Sequence, residues 1–106
     1  MSTSVAALIE HPKAVVLTAR YMMRYRDLTG RDRVMLACRH PEGVWWAVSL
    51  AGPALLRQFG EPVVCGEFPA LARFVLEHVR FWGMEPGEWQ PIDRYLAIVI
   101  REEQER

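Results

Sequence analysis

One set of residues in this sequence resembles a group of metal ligands. It consists of Cys38, His40, Cys65 and His78. Thiolate and neutral imidazole both suit zinc, and Cys38 and His40 project from the same face of a predicted strand. Structural zinc sites usually bring their ligands in close pairs, however, and neither Cys65 nor His78 has a near partner along the chain. The spacing therefore predicts buried thiols and hydrogen-bonded histidines, with no metal and no cofactor.

A histidine could also act as a general acid or base. His78 falls on the apolar face of a predicted helix, where it must either be hydrogen-bonded internally or open into a cleft. Ser49 lacks the flanking glycines of a nucleophile elbow, and the cysteines lie in no recognisable catalytic motif. The sequence therefore favours a protein that is not an enzyme, with a small enzyme that uses His78 or His40 as the alternative.

Charge is unevenly distributed along a chain whose formal net charge is zero. Residues 1–39 carry seven basic and three acidic residues, and residues 40–106 carry six and ten, so the two parts have net charges of +4 and −4. Twelve of the thirteen basic residues are arginine, a bias typical of a GC-rich bacterial or phage genome. Such asymmetry indicates a basic surface for an acidic partner or for nucleic acid.

The basic residues follow a predicted hairpin. Side chains on a strand alternate between its two faces, so some of these arginines share one face of the strand. The other arginines continue around the turn, and together they make a ribbon that could follow phosphates. Tyr21 and Tyr25 point to the opposite face in the same register, which argues against a platform for stacking bases. Nucleic-acid binding is therefore a second alternative. Its candidate residues are Arg20, Arg24, Arg26, Arg31 and Arg33.

A helix over residues 69–82 is the most strongly determined element. Apolar residues recur with a period of 3.6, Pro69 suits a first helical turn, and Gly83 suits a left-handed end. Leu71, Val75, His78 and Trp82 are predicted to face a sheet. The apolar arc is wider than one sheet covers, so the pattern predicts a second neighbour, either a short helix or a copy of the chain.

Aromatic and apolar residues at the borders of this helix give the candidate protein interface. Large aromatic side chains are enriched at interfaces, although the core is an equally good place for a tryptophan. The interface residues that the sequence predicts are Phe74, Leu76, Phe81, Trp82 and Trp89.

The remaining pattern predicts mostly strands. Residues 13–26 suit a strand better than a helix, because a period of two separates charged from apolar side chains more cleanly. Turns at residues 27–32 and 40–43 lead into strands at 33–40 and 44–50. Other predicted elements are a short helix at 53–59, an edge strand at 62–66, a loop at 83–91, a strand at 94–101 and a frayed tail at 102–106.

The fold class predicted is α+β, a single domain with an antiparallel or mixed sheet of four or five strands and two helices packed on it. Hydrophobic residues make up 51% and charged residues 25%, which is the balance of a globular protein. No signal peptide or membrane span is evident, so a cytoplasmic location is expected. The function predicted is that of a regulatory, adaptor or inhibitor protein, acting through protein–protein contact as a homodimer.

Overall fold

The computed structural model describes residues 18–49 and 54–92. Within them, the elements are β1 (Ala19–Arg26), β2 (Asp32–Arg39), β3 (Trp45–Ser49), β4 (Ala54–Leu55), β5 (Arg57–Gln58), β6 (Glu61–Pro62), β7 (Val64–Cys65), α1 (Phe68–Phe81) and β8 (Glu85–Pro91). Five of the strands form the path β4-β3-β2-β1-β8 of one antiparallel sheet, β7 pairs with β3, and β5 and β6 form a separate hairpin. One helix packs on the sheet, so the chain is an α+β domain, as the sequence predicts.

The β1–β2 hairpin confirms the choice of strand over helix for residues 19–26 of the predicted strand at 13–26. Asp27 begins the turn: its backbone N–H donates to the Arg31 carbonyl at 2.9 Å, and its own carbonyl accepts from the Gly30 N–H at 3.1 Å. Gly30 has a φ of 82°, a conformation that costs glycine little because it has no Cβ. The turn therefore closes where the sequence predicts it.

His40 organises the next turn, between β2 and β3. Its backbone N–H donates to the Val44 carbonyl at 2.8 Å, and its carbonyl accepts from the Gly43 N–H at 2.8 Å. The Nδ1 atom of its ring accepts from the backbone N–H of Glu42 at 3.0 Å. His40 is only 6% exposed, and these bonds supply the partners that a buried polar ring needs.

Helix α1 ends in the way its sequence predicts. The Gly83 N–H donates to the Arg80 carbonyl and the Met84 N–H donates to the Val79 carbonyl, each at 3.0 Å. This pair of bonds is a Schellman motif, which requires a left-handed residue after the helix, and Gly83 has a φ of 77°.

The buried face of α1 consists of Leu71, Val75 and Val79, each 0% exposed. They pack in one cluster with Met23 and Met35 of the sheet, and burial of each such side chain is worth about 1.5–3 kcal/mol. Leu71 and Val75 face the sheet as predicted.

The prediction that His78 and Trp82 face the sheet is wrong. His78 is only half-buried and Trp82 is 56% exposed. The helix instead turns its Val79 side inward, because an isopropyl group loses no hydrogen bonds to water on burial whereas an imidazole does.

The start of α1 is anchored by aromatic rings from three strands. Phe68 stacks on Tyr21 with ring centroids 3.9 Å apart, lies 5.3 Å from Trp45, and meets the edge of Trp89 at 5.5 Å. The same rings therefore fix the helix against β1, β3 and β8 at once.

Two predicted elements are corrected by the structure. Residues 54–58 of the predicted short helix at 53–59 are not helical, and most of them belong to the strands β4 and β5. Gly60, which resembled the end of a helix, instead closes the β5–β6 hairpin. Residues 85–91 of the predicted loop at 83–91 form β8, which pairs with β1. The predicted strand at 94–101 and tail at 102–106 lie outside the described residues.

A bulge shapes each side of β1. In the pairing with β2, Arg20 is an extra residue between the partners Ala19↔Cys38 and Tyr21↔Ala37. In the pairing with β8, Gly87 and Glu88 together oppose Arg24. A Cβ at Gly87 would collide with the Arg24 carbonyl oxygen, so only glycine fits there.

Candidate functional site

An open groove of about 500 Å³ lies between the outer face of α1 and the β5–β6 hairpin. Four of its side chains are phenylalanine or tryptophan, and we call the whole surface the aromatic groove. Its lining residues are Arg57, Gln58, Phe59, Phe74, Glu77, His78, Phe81 and Trp82.

The hairpin contributes Phe59 from a strained position. Phe59 and Gly60 join β5 to β6 with φ angles of 53° and 83°, and a two-residue hairpin turn with both angles positive normally uses Asn-Gly. A left-handed conformation costs a residue with a Cβ roughly 1–2 kcal/mol. The Phe59 side chain recovers little by burial, since the residue is 96% exposed.

A hydrogen bond helps to hold this turn. The Nη1 atom of Arg57 donates to the Gly60 carbonyl at 2.9 Å. Strained residues in folded proteins are concentrated at functional sites. The strained turn therefore makes the exposed Phe59 ring a candidate binding residue.

Helix α1 contributes a row of rings one helical turn apart. The ring centroids of Phe74 and His78 are 6.3 Å apart, and those of His78 and Trp82 are 6.2 Å apart. Phe81 meets Trp82 edge to face at 5.8 Å. Phe81 is 83% exposed, and exposed apolar surface of this kind typically marks an interaction site.

His78 is the titratable ring of the groove. Burial against the neighbouring rings lowers its pKa from the ordinary value of 6.5, so the imidazole is neutral at neutral pH. The described lining of the groove includes no serine, threonine or cysteine that His78 could activate. The ring adds to the aromatic surface of the groove between Phe74 and Trp82.

The structure brings together part of the predicted interface. Phe74, Phe81 and Trp82 line the groove, although Phe74 also packs against the central core cluster. Leu76 and Trp89 pack against that cluster and do not line the groove. Phe59 was missed by the sequence reasoning, which placed it at the end of the predicted short helix at 53–59. Its one signal was the dipeptide Phe59-Gly60 between two short extended segments.

The predicted arginine ribbon is interrupted by acids. The Arg33 Nε atom donates to Asp27 Oδ2 at 2.8 Å, and Arg26 lies 3.8 Å from Asp32 and 4.0 Å from Glu85. Arg20, Arg24 and Arg31 are exposed at separate places, at the bulge, mid-strand and in the turn. Arg26 and Arg33 are thus already paired with carboxylates, which weakens the case for a continuous phosphate track.

The four residues that resembled metal ligands lie apart. His40 uses Nδ1 to hold its turn, and burial raises the pKa of the Cys38 thiol to about 12, so it stays protonated. Cys65 is half-buried on β7. Across residues 18–49 and 54–92, no three His, Cys, Asp or Glu side chains are grouped to hold a metal ion.

No protein-family model, curated protein or solved structure matches this chain. In the part of the chain that the structure describes, the helix is too short and too polar to cross a membrane. The site must therefore be interpreted from its own geometry.

Proposed function

We propose that this protein is a small, non-enzymatic regulatory, adaptor or inhibitor protein of the cytoplasm, which acts through protein–protein contact at the aromatic groove and forms a homodimer there. The observation that carries the proposal is the grouping of Phe59, Phe81 and Trp82, respectively 96%, 83% and 56% exposed, on one surface. Large aromatic side chains in the centre of an interface supply most of its binding energy. Exposing them in water without a partner is unfavourable.

The charges around the groove support a second copy as the partner. Arg73, Glu77 and Arg80 lie on the exposed face of α1 in the order positive, negative, positive. If two copies of α1 pack antiparallel about a two-fold axis near residues 78 and 79, Glu77 of each copy meets Arg80 of the other. A self-complementary surface of this kind is what a two-fold dimer requires.

The absence of a nucleophile from the described lining of the groove supports a binding role rather than catalysis. Cys38 and Cys65 are not joined in a disulfide, which suits the reducing cytoplasm.

Light scattering coupled to size-exclusion chromatography tests the proposal. The wild type is expected to be a dimer at about 100 μM. Phe81→Ser is expected to weaken dimerisation about tenfold or more, because it removes a central aromatic contact. Val64→Ser is the matched control, since Val64 is an exposed apolar residue, 44% exposed, outside the groove. A wild type that is monomeric at about 1 mM, or equal loss in both variants, would contradict the proposal.

Charge reversal tests the antiparallel arrangement. Glu77→Arg alone is expected to weaken the dimer, because it places like charges together. Combining it with Arg80→Glu restores the opposite charges across the axis and is expected to recover most of the affinity. Failure of the double variant to recover would exclude this register while leaving the groove itself as the interface.

Phe59→Asn separates function from stability. Asparagine adopts positive φ more readily than phenylalanine, so the free energy of unfolding of the monomer is expected to rise by about 1 kcal/mol. Dimerisation is expected to weaken, because the exposed ring is lost. Urea denaturation and light scattering on the same sample measure both. A less stable variant would show that Phe59 packs within its own chain.

A further inference from the structure

A second, shallower cavity of about 300 Å³ lies at the far end of the strands from the β1–β2 turn. Arg20, Tyr21, Arg39, Trp45 and Pro91 line it. None of these residues lines the aromatic groove, so the cavity is independent of the proposed dimer surface. Its volume lies at the lower end of the range of small-molecule sites.

Strand pairing brings these residues together. Tyr21 on β1 pairs with Pro91 on β8, and Arg39 on β2 pairs with Trp45 on β3. Residues paired across an antiparallel sheet present their side chains on the same face. The Tyr21 and Trp45 rings lie 5.9 Å apart at 39°, so the cavity has a wall of flat rings beside basic residues.

The β1 bulge supplies the second basic residue. Arg20 is the extra residue of this bulge, and its backbone carbonyl accepts a hydrogen bond from Ile92 at 3.0 Å. Bulges are frequent beside binding sites because they redirect a side chain. Here the bulge allows Arg20 to line the same cavity as its neighbour Tyr21.

The described residues that line the cavity carry a net positive charge. Arg39 is exposed, and it makes no ion pair with any residue in the described ranges. The described lining includes two arginines and no acid. Guanidinium groups bind phosphate through two parallel hydrogen bonds and also stack on flat rings.

We infer that this cavity binds an anion joined to a planar ring, the chemistry of a nucleoside monophosphate. The phosphate is held by Arg39 with Arg20, and the ring lies against the wall formed by Trp45, Tyr21 and Pro91. The nucleotide is either free or a residue of a single strand, since both present the same two groups.

Titration of the full-length protein with AMP, followed by the indole N–H resonances in NMR, tests the inference. The Trp45 resonance, assigned from a Trp45→Phe sample, is expected to shift with a Kd of about 0.1–1 mM, while that of Trp82 in the groove stays in place. Adenosine or inorganic phosphate alone is expected to bind about tenfold more weakly, because each lacks half of the contacts.

Variants test the residues. Arg39→Gln is expected to raise the Kd for AMP about tenfold, and Arg31→Gln, a matched loss of an exposed arginine in the β1–β2 turn, to leave it within about twofold. No Trp45 shift at about 10 mM AMP, or equal effects of the two variants, would overturn the inference. An eight-nucleotide single strand that shifts Trp45 at a lower concentration than AMP identifies a strand as the source, and the reverse order identifies the free nucleotide.

Discussion

One carboxylate, that of Asp27, holds the β1–β2 turn. Its Oδ1 atom accepts from the Thr29 N–H at 2.8 Å, the Thr29 hydroxyl at 2.6 Å and the Arg31 N–H at 3.0 Å, and Oδ2 accepts from Arg33. The Thr29 hydroxyl bond and then the Arg33 bond keep the pKa of Asp27 well below its usual range. Ionised oxygen accepts these bonds better than protonated oxygen does.

Stability is therefore expected to depend on Asp27 at low pH. A carboxyl whose pKa is depressed on folding stabilises the fold above its unfolded pKa of about 3.9, and this contribution is lost as pH falls through the folded value. Asp27→Asn is expected to lower the urea midpoint at pH 7 and to reduce the loss of stability below pH ~3.9.

Asp32→Asn is the matched control for Asp27→Asn. The Asp32 side chain is 82% exposed and lies 3.8 Å from Arg26, so its loss is expected to change stability little. Urea titrations at several pH values compare the two variants. If the wild type and Asp27→Asn lose stability in parallel as pH falls, another carboxyl is responsible.

At the scale of elements, α1 is a helix with two unlike apolar faces. The inner face, Leu71, Val75 and Val79, is completely buried. The outer face presents Phe74, His78 and Trp82 to the aromatic groove. The inner face is covered within one chain, and in the proposed dimer a second copy would cover the outer face.

Two truncations are expected to distinguish these faces. Leu71→Ala should lower the free energy of unfolding by about 3 kcal/mol, because it leaves a cavity in the core. Phe81→Ala should change the stability of the monomer by less than about 0.5 kcal/mol, because the side chain is mostly exposed. Urea denaturation at low micromolar concentration measures both. Similar losses would mean that Phe81 is covered within one copy.

At the scale of the whole molecule, the proposed dimer at the aromatic groove would depend on pH. His78 lines the groove together with Arg57 and Glu77, and burial already lowers its pKa. Docking of a second copy would remove more water from the ring and favour the neutral form further. Dimerisation is thus linked to the release of a proton when the pH is below the pKa of the free groove.

The dimer is therefore expected to weaken as pH falls. At pH 8 the ring is neutral in both states, whereas at a pH below the pKa of the free groove docking must displace its proton, so the Kd is expected to be higher at the lower pH. Sedimentation equilibrium at each pH measures it. His78→Phe is expected to dimerise equally at both. A His78→Phe variant that keeps the pH dependence would assign it to another group.

The sequence was most informative where local signals and tertiary packing agree. The period, proline and glycine of α1 predicted its bounds to within a residue or two, and alternation predicted the β1–β2–β3 meander. Hairpin turns were legible because Gly30 and Gly43 occupy positions of positive φ. The groove residues on α1 that the sequence predicted as interface residues, Phe74, Phe81 and Trp82, were recognised from the same helical pattern.

The rest depends on contacts that local pattern does not encode. β4, β5 and β6 have two residues each, too few to show alternation, and Gly60 suits a hairpin as well as a helix end. β8 contains Pro86, Gly87 and Pro91 and has the composition of a loop, because its extended state comes from pairing with β1. Phe59 could be found only after the hairpin was known.

The contact at Gly87 limits how this sequence can evolve. The atom that a side chain at position 87 would strike is a backbone oxygen, which every amino acid carries. No replacement of Arg24 can therefore make room for it. If another residue replaces Gly87, this pairing can be recovered only by a change in the length of the strand that removes the bulge. The evolution of β8 is therefore constrained by its length as much as by its residue types.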